Sequence, residues 1–475
     1  DGCLYSAVTD CGAGGLSSAV GEMGRELGAV VDLDDVPLKY AGLRYDEIWI
    51  SEAQERMVFA VPPERLDRML AVFAEEEVEA TVIGTFTDDR WLRVRCRGQT
   101  VGELQMGFLH DGYPRQTLTA TWTAPTSTSR QTAATSGVTS PPDPNAALIA
   151  ALSEYNTASK EWIIRQYDHE VQGRSVIKPL VGPGVGPSDA AVLRPVYDGA
   201  RGVAIGCGLC PQLGDDDPYL MAVVAVDEAL RNVICVGANP DHTAILDNFC
   251  WPKVDTEESL GALVRTCCGA RDAAIAFGLP FISGKDSLNN QFSMSAEEAK
   301  RTGFSGRIAI PYTLLVSALG VIEEVERCIS MDLKRPGHRL VVASAPADRV
   351  GLDEARAMHG KVAALIREGR VRAAHDISDG GLAVAVSEMC IAANLGASVS
   401  VDREAFGDSI FAATATTYLL EMAEPDAIAC GLRVVGTVEK EPRLRIEADG
   451  VGFIDLPVAD LAEAWRSPLA RGGGR

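Results

Sequence analysis

Apolar residues after residue 15 recur at helical spacing, with Leu16, Ala19, Val20, Met23 and Leu27 on one face, which predicts an amphipathic helix ending at "LGA". The stretch after residue 380 repeats this and reaches Leu395-Gly396-Ala397. At the offset 376 − 10 = 366, "DCGAGGLSSAVGEM" from Asp10 and "DISDGGLAVAVSEM" from Asp376 share 8 of 14 residues, including the aspartate, both glycines and the glutamate. Further on, "VIGTFTDDRWLRVRCRG" from Val82 and "VVGTVEKEPRLRIEADG" from Val434 each predict strand, turn and strand. One unit of mixed helix and strand is thus written twice.

Between the copies, Ala124 to Asn145 is rich in Ser, Thr and Pro and predicts a flexible connector, followed by a helical linker through "SKEWIIRQYDHEVQ". From about Ser175 to Ile322, strand-like runs such as "YTLLVSALGVI" surround helical stretches. If that segment and the second copy form a pair, the first copy lacks its partner. The missing piece is then expected before Asp1, and the chain, which has no initial methionine, is expected to be a fragment.

A length of 475 residues suggests about three domains. The formal charge of −22 argues against general nucleic-acid binding, so bound phosphate must be met locally by backbone amides, a metal or a few placed cations. The sequence contains neither an apolar run long enough for a bilayer nor a signal segment, so the expected compartment is the cytoplasm. The twelve cysteines are scattered like buried thiols, and Cys207 and Cys210 form a CxxC without a second ligand pair for zinc.

A glycine turn feeding a helix offers free N–H groups and a positive dipole end to phosphate, and Asp10 and Asp376 precede such turns, where carboxylates suit magnesium. A helix cap and tight turn is the alternative, against which the duplication argues. Asp189 in "GPSDAAVL" and Glu228 and Asn232 in "VDEALRNVI" are further hard oxygen ligands; the last two share a helix face, which a solvated surface would equally explain. "FISGKDSLNN" is not a Walker loop, because five residues separate Gly278 from Gly284 and Asp286 follows Lys285. It still sets a cation, a carboxylate and a hydroxyl together, expected at one loop after a strand. "ISEAQERMVFAV" packs Glu52, Gln54, Glu55 and Arg56 between apolar segments, so some of these polar groups are expected in a cleft.

With "SEAQERM", "KEWIIRQYDHEV", "DPYLMAVVAVDEALRNV", "LDNFCWP", "SGKDSLNN" and "HDISDGGL" in order, the chain resembles the phosphoribosylformylglycinamidine synthases of the aminoimidazole ribonucleotide synthetase superfamily. The resemblance implies a mixed α/β fold of tandem PurM-like architecture. Residues 1–123 would be a first C-terminal α/β domain, 124–174 a linker, 175–330 an ATP-binding domain, 331–465 a second α/β domain and 466–475 a tail. The family's first ATP-binding domain, with its catalytic histidines, would be missing.

By the same resemblance Asp10 is a magnesium ligand, Glu52, Ala53, Gln54 and Ser287 meet formylglycinamide ribonucleotide, and Asp247 and Gly284 meet ATP. Ala53 stands where the family commonly has Ser. Lys285 stands where many members have a magnesium-ligating Asn, so the ion must shift, be lost or be replaced by the ammonium, with Asp286 a substitute ligand. Asp189, Glu228, Asn232, Asp376 and Ser378 would serve an auxiliary nucleotide site, occupied by ATP or ADP with Mg2+. The implied reaction is ATP-driven amidation with ammonia from a glutaminase subunit or domain. Alternatives are another synthetase or kinase of the superfamily, or a nucleotide-binding half without turnover.

Overall fold

The computed structural model describes residues 2–53, 55–124, 143–303, 306–345, 351–401, 410–448 and 451–470. The expected flexible connector and Gln54 lie almost wholly or wholly outside these residues. The chain forms two compact units, Asp1–Leu118 and Thr119–Arg475. No helix among the described residues is long and apolar enough to cross a membrane.

The first unit runs β1 (Ala7–Asp10), α1 (Leu16–Met23), β2 (Gly28–Asp32), α2 (Tyr45–Ile50), β3 (Met57–Ala60), α3 (Leu66–Glu75), β4 (Gly84–Thr87), β5 (Trp91–Cys96), β6 (Gln99–Gln105) and α4 (Met106–Asp111). Its strands form one pair, β1-β3, and one four-stranded sheet, β4-β2-β5-β6. The helix predicted from the apolar stripe buries Leu16, Ala19 and Val20 against a core that includes Ala29, Val31, Leu92 and Val94 from β2 and β5. Leu27, placed on the same stripe, lies past the helix end and is exposed. The helix stops because Gly24 follows, and a Cβ there would come within 2.8 Å of Met106 Cε.

The second unit opens with α5 (Pro144–Ser153) and α6 (Glu161–Ile164). Asp143 caps α5 through Asn145 N, and Pro144 starts it, which presets φ. The predicted linker helix is confined to the single turn of α6; the Asp168 side chain turns the chain by accepting from Glu170 N. Then follow β7 (Ser175–Ile177), β8 (Leu180–Val181), β9 (Gly186–Pro187), β10 (Ala191–Leu193), β11 (Gly202–Leu209), α7 (Pro218–Cys235), β12 (Thr243–Cys250), α8 (Glu257–Phe277), β13 (Phe281–Ser287), β14 (Gln291–Ser293), α9 (Ala296–Thr302), β15 (Arg307–Ala309) and β16 (Thr313–Ile322). Six of these strands form a sheet in the order β13-β12-β16-β11-β10-β7, parallel only between β12 and β13. The long helix α7 packs on its strands β11 and β16, and α8 packs on α7.

The rest of the unit is β17 (Arg339–Ser344), α10 (Leu352–Arg367), β18 (Val371–Asp376), α11 (Gly381–Ala393), β19 (Gly396–Val401), β20 (Thr417–Met422), α12 (Glu424–Ala429), β21 (Arg433–Glu439), β22 (Arg443–Ala448), β23 (Val451–Pro457) and α13 (Val458–Arg466). Its seven-stranded sheet has the order β18-β20-β17-β21-β19-β22-β23. The repeat read from the sequence is a repeat of topology. Antiparallel β1-β3 matches β18-β20, antiparallel β2-β4 matches β19-β21, parallel β2-β5 matches β19-β22, and antiparallel β5-β6 matches β22-β23.

Candidate functional site

The two glycine turns share one backbone. Gly14 and Gly15 have φ of 82° and 59°, and Gly380 and Gly381 have 80° and 61°, all in the left-handed region that a side chain disfavours. Space excludes a side chain as well. A Cβ on Gly15 would lie 2.4 Å from Ser51 O, and one on Gly381 would lie 2.5 Å from Ile410 O. Each turn therefore lies against a backbone segment ahead of the strand that pairs with its own: residues 50–51 in the first unit and 410–412 in the second. In the first unit this sets Asp10, whose Oδ1 accepts from Gly12 N at 2.7 Å, on the same turn that meets the Ser51-Glu52-Ala53 loop. Glu52, Ala53, Glu55 and Arg56 line a cavity of about 1550 Å3 within that unit, as the expectation of a cleft required.

In the second unit the turn ends β18, and Asp189 reaches it from 187 residues earlier in the chain. Asp189 Oδ1 accepts from Asp376 N and from His375 Nδ1, both at 2.9 Å, and His375 Nε2 lies 3.1 Å from Glu388 Oε2 on α11. Burial opposes a charge on His375, but the carboxylates of Asp189 and Glu388 raise its pKa well above the ordinary value, so both ring nitrogens donate. Asp189, His375 and Asp376 place ligand atoms within 4.8 Å of one another. The imidazole is nonetheless no ligand, because both of its nitrogens are already committed to carboxylates.

What remains for a cation is a pair of oxygens. Asp189 Oδ2 and Asp376 Oδ2 are both buried without a hydrogen-bond partner. Arg231 Nη2 approaches Asp376 Oδ2 only to 3.5 Å. Ser378 Oγ makes a long contact of 3.4 Å with Asp376 Oδ1. Burial raises the Asp376 pKa, Arg231 opposes this, and Asp189 adds to it. Two hard oxygens from carboxylates whose ligand atoms lie within 4.8 Å of one another, each without a hydrogen-bond partner, fit a magnesium ion.

Glu228 and Asn232 do share a face of α7, and that face lies on β11. Glu228 Oε2 accepts from Leu209 N at 2.9 Å and from Cys210 Sγ at 3.2 Å, while Asn232 Nδ2 donates to Cys207 O at 2.7 Å. The helix comes this close because β11 carries glycine where it crosses: a Cβ on Gly208 would lie 2.0 Å from Ala225 O. Burial raises the Glu228 pKa, and its charge acts in turn on Asp376. Cys207 and Cys210 are free thiols, and Cys210 is buried beside Glu228 rather than facing other metal-binding groups.

Sequence reading overlooked the residues beneath this site. Arg231, 1% exposed, donates to Thr414 O at 2.7 Å and to Ile377 O at 3.4 Å, and its Nε lies 3.3 Å from Asp227 Oδ2. Asp227, fully buried, accepts from Thr416 N at 2.8 Å and Thr416 Oγ1 at 2.5 Å and faces His359 Nε2 at 3.0 Å. Burial alone would raise its pKa, yet Arg231, His359 and Thr416 hold it at about 2. The signal was the i, i+4 spacing of Asp227 and Arg231 on a helix whose flanking residues are mostly apolar.

The remaining candidates gather on the edge of the six-stranded sheet. Gly-Lys-Asp-Ser does not form a loop as expected; it is part of β13, because parallel pairing with β12 continues through Cys250 and Ser287. Asp247 pairs with Gly284, and a Cβ on Gly284 would come within 2.6 Å of Asp247 Oδ1. Alternation puts Gly284 and Asp286 on the face of Asp247, and Lys285 and Ser287 on the other, where Lys285 Nζ donates to Ser287 Oγ. Burial raises the Asp247 pKa and Asp286 adds to it.

The comparisons with known proteins follow the same division. The model of the AIR synthase related protein C-terminal domain matches twice, at residues 4–97 and 345–449, and that of the N-terminal domain matches residues 187–297. The phosphoribosylformylglycinamidine synthase subunit PurL of Thermomicrobium roseum is 33% identical over 98% of this chain, which covers 64% of that protein. The corresponding subunit of Deinococcus radiodurans is 32% identical over 98% of this chain, which covers 65% of it. The chain thus spans just under two thirds of these relatives. The structure of T. maritima PurL complexed with ADP aligns with 92% of this chain and 64% of its own, at a TM-score of 0.65 and 23% identity. With two copies of the C-terminal domain around one N-terminal domain, the chain belongs to the AIR synthase related family and is a homologue of PurL, a subunit of phosphoribosylformylglycinamidine synthase.

Proposed function

We propose that this chain is the larger part of a phosphoribosylformylglycinamidine synthase subunit, which converts formylglycinamide ribonucleotide to the amidine with ATP and ammonia. The observation that carries the nucleotide half of this reading is the pair of buried, unpartnered oxygens on Asp189 and Asp376 beside a glycine turn that opens a helix. Asp189 and Asp376 would hold Mg2+, with Glu228 and Asn232 steadying the adjoining strand and Ser378 on the turn. Magnesium, when bound, neutralises phosphate charge that a chain of net charge −22 otherwise repels. At the start of α11, Gly381 N and Ala383 N already donate to Ser378 O and Ile410 O, so the main-chain donor that the turn would offer to that phosphate is Gly380 N.

In the first unit, Asp10 would bind magnesium and Glu52, Ala53 and Gln54 the substrate; in the second unit, Asp247 and Gly284 would bind ATP and Ser287 the substrate. Ala53 has no hydroxyl, so any polar contact at that position comes from its backbone. Phosphorylating the amide oxygen turns a poor leaving group into a good one, and positioning by these residues provides much of the rate. Solved structures of relatives support the nucleotide and the substrate. They include T. maritima PurL complexed with ADP, with ATP and with FGAR, and a PurLQS structure from Thermotoga maritima. Ammonia would come from a glutaminase partner, and the chain is expected to bind nucleotide at Asp189–Asp376.

Calorimetric titration with ADP and Mg2+ tests the reading. Binding by the wild type that Asp376→Asn abolishes supports it; no binding by the wild type, or equal binding by the variant, overturns it.

A further inference from the structure

Thr416 is buried and has φ of 49°, a left-handed conformation that a β-branched side chain strongly disfavours. The left-handed step belongs to the repeat. Asp10 stands opposite Met57 and Asp376 opposite Tyr418, and two positions before each of these partners lies a left-handed residue, Glu55 with φ of 63° in the first unit and Thr416 in the second. In both copies the next residue presents its carbonyl to the glycine turn. Arg56 O accepts from Cys11 N, and Thr417 O accepts from Ile377 N, each at 3.0 Å. The backbone alone would favour glycine at the left-handed position.

What glycine lacks is a hydroxyl. Asp227 on α7 accepts from Thr416 N at 2.8 Å and from Thr416 Oγ1 at 2.5 Å, one carboxylate oxygen for each donor. One turn further along α7, Arg231 donates to Thr414 O at 2.7 Å. The segment held in this way is the one that rests on the glycine turn. Ile410 O accepts from Ala383 N at 3.1 Å, and a Cβ on Gly381 would lie 2.7 Å from Ala412 O. A single helix therefore reaches the turn twice, through Arg231 beside Asp376 and through Asp227 at the end of the segment that walls it.

We propose that Thr416 is a positioning residue of the nucleotide site, whose hydroxyl, held by Asp227, fixes residues 410–416 on the path that keeps the Gly380-Gly381 turn in place for phosphate. The proposal rests on the nucleotide reading above, and Thr416 acts through the turn rather than on the ligand. It accounts for a strained threonine where the backbone asks for glycine: the side chain is there for its bond to Asp227.

Three variants of the full chain separate hydroxyl from backbone. Thr416→Ser keeps the hydroxyl, Thr416→Val keeps the branched shape without it, and Thr416→Gly removes hydroxyl and strain together. The amides of Ile377 and Ala383 donate to Thr417 O and Ile410 O on either side of the segment. Their hydrogen exchange should quicken about tenfold more than that of β22 in Thr416→Val and Thr416→Gly, and stay within about threefold of wild type in Thr416→Ser. Calorimetry with ADP at saturating Mg2+ should give dissociation constants about tenfold higher for Thr416→Val and Thr416→Gly, the loss expected of one hydrogen bond to a charged group, with Thr416→Ser close to wild type. The proposal is overturned if Thr416→Val or Thr416→Gly binds ADP as tightly as the wild type, if Thr416→Ser binds as weakly as Thr416→Val, or if exchange at Ile377 and Ala383 keeps its wild-type rate in all three. A wild type that binds no ADP is a different result, which overturns the nucleotide reading and the proposal with it.

Discussion

Replacing Arg231 with methionine, which keeps most of the stem, removes a cation that lies between two buried carboxylates. Asp227 is fully buried and Asp376 is 5% exposed, and Arg231 lies 3.3 Å from the first and 3.5 Å from the second. Deleting one partner of a buried ion pair costs about 3–5 kcal/mol, because the remaining charge stays desolvated. Asp227 retains Thr416 N, Thr416 Oγ1 and His359 as partners, whereas Asp376 Oδ2 retains no direct one, so most of the cost should fall on Asp376. With a urea slope of about 3 kcal/mol/M, the unfolding midpoint of the second unit should fall by about 1–1.7 M. The buried Trp251 and Trp465 report that transition by fluorescence. Adding Asp376→Asn should recover part of the loss, and Mg2+ with ADP should stabilise the single variant more than the wild type, since the ion replaces the missing charge. A loss below about 1 kcal/mol, or a double variant no more stable than the single one, would refute this electrostatic reasoning.

Gly381→Ala should destabilise the second unit by more than the ~1 kcal/mol expected from its left-handed backbone alone, because Ile410 O occupies the Cβ position, and chemical denaturation measures it. Gly208→Ala should push α7 off β11 and raise the dissociation constant for Mg2+ and ADP, read by calorimetry, because Ala225 O leaves no room for a methyl group. Since its pKa is depressed to about 2, Asp227 stabilises the fold fully above its unfolded pKa of ~3.9 and loses that contribution as pH falls through 2. Acid unfolding of Asp227→Asn monitored by circular dichroism should therefore be less steep between pH 4 and 2 (~2 pH units) than in the wild type.

The fold was legible where periodicity and repetition coincide. The helix after each glycine turn, the two strands in each of the stretches from Val82 and Val434, and the duplication all follow from alternation and spacing, which act over a few residues. The glycine turns were legible because only glycine tolerates both their φ and the backbone beside them. The approach of Asp189 to Asp376 was suggested by resemblance alone, since no local rule joins residues 187 apart. Asp227 and Arg231 passed unnoticed for a related reason. A charged residue on a helix usually marks a solvated face, and only the packing of α7 against β11 and β18 shows that these charges are interior. Lys285 was misplaced because a Gly-Lys-Asp-Ser run reads as a loop until its parallel partner β12 is known.

The central claim is that Asp189 Oδ2 and Asp376 Oδ2, buried and without a hydrogen-bond partner, are cation ligands. A crystal of the chain grown with Mn2+ and ADP tests it most directly, through anomalous scattering from the metal. The account predicts a peak within about 2.0–2.3 Å of both oxygens, with His375 still bridging Asp189 and Glu388. A metal bound elsewhere with ADP in place, or ADP bound with both oxygens contacting only water, would contradict it.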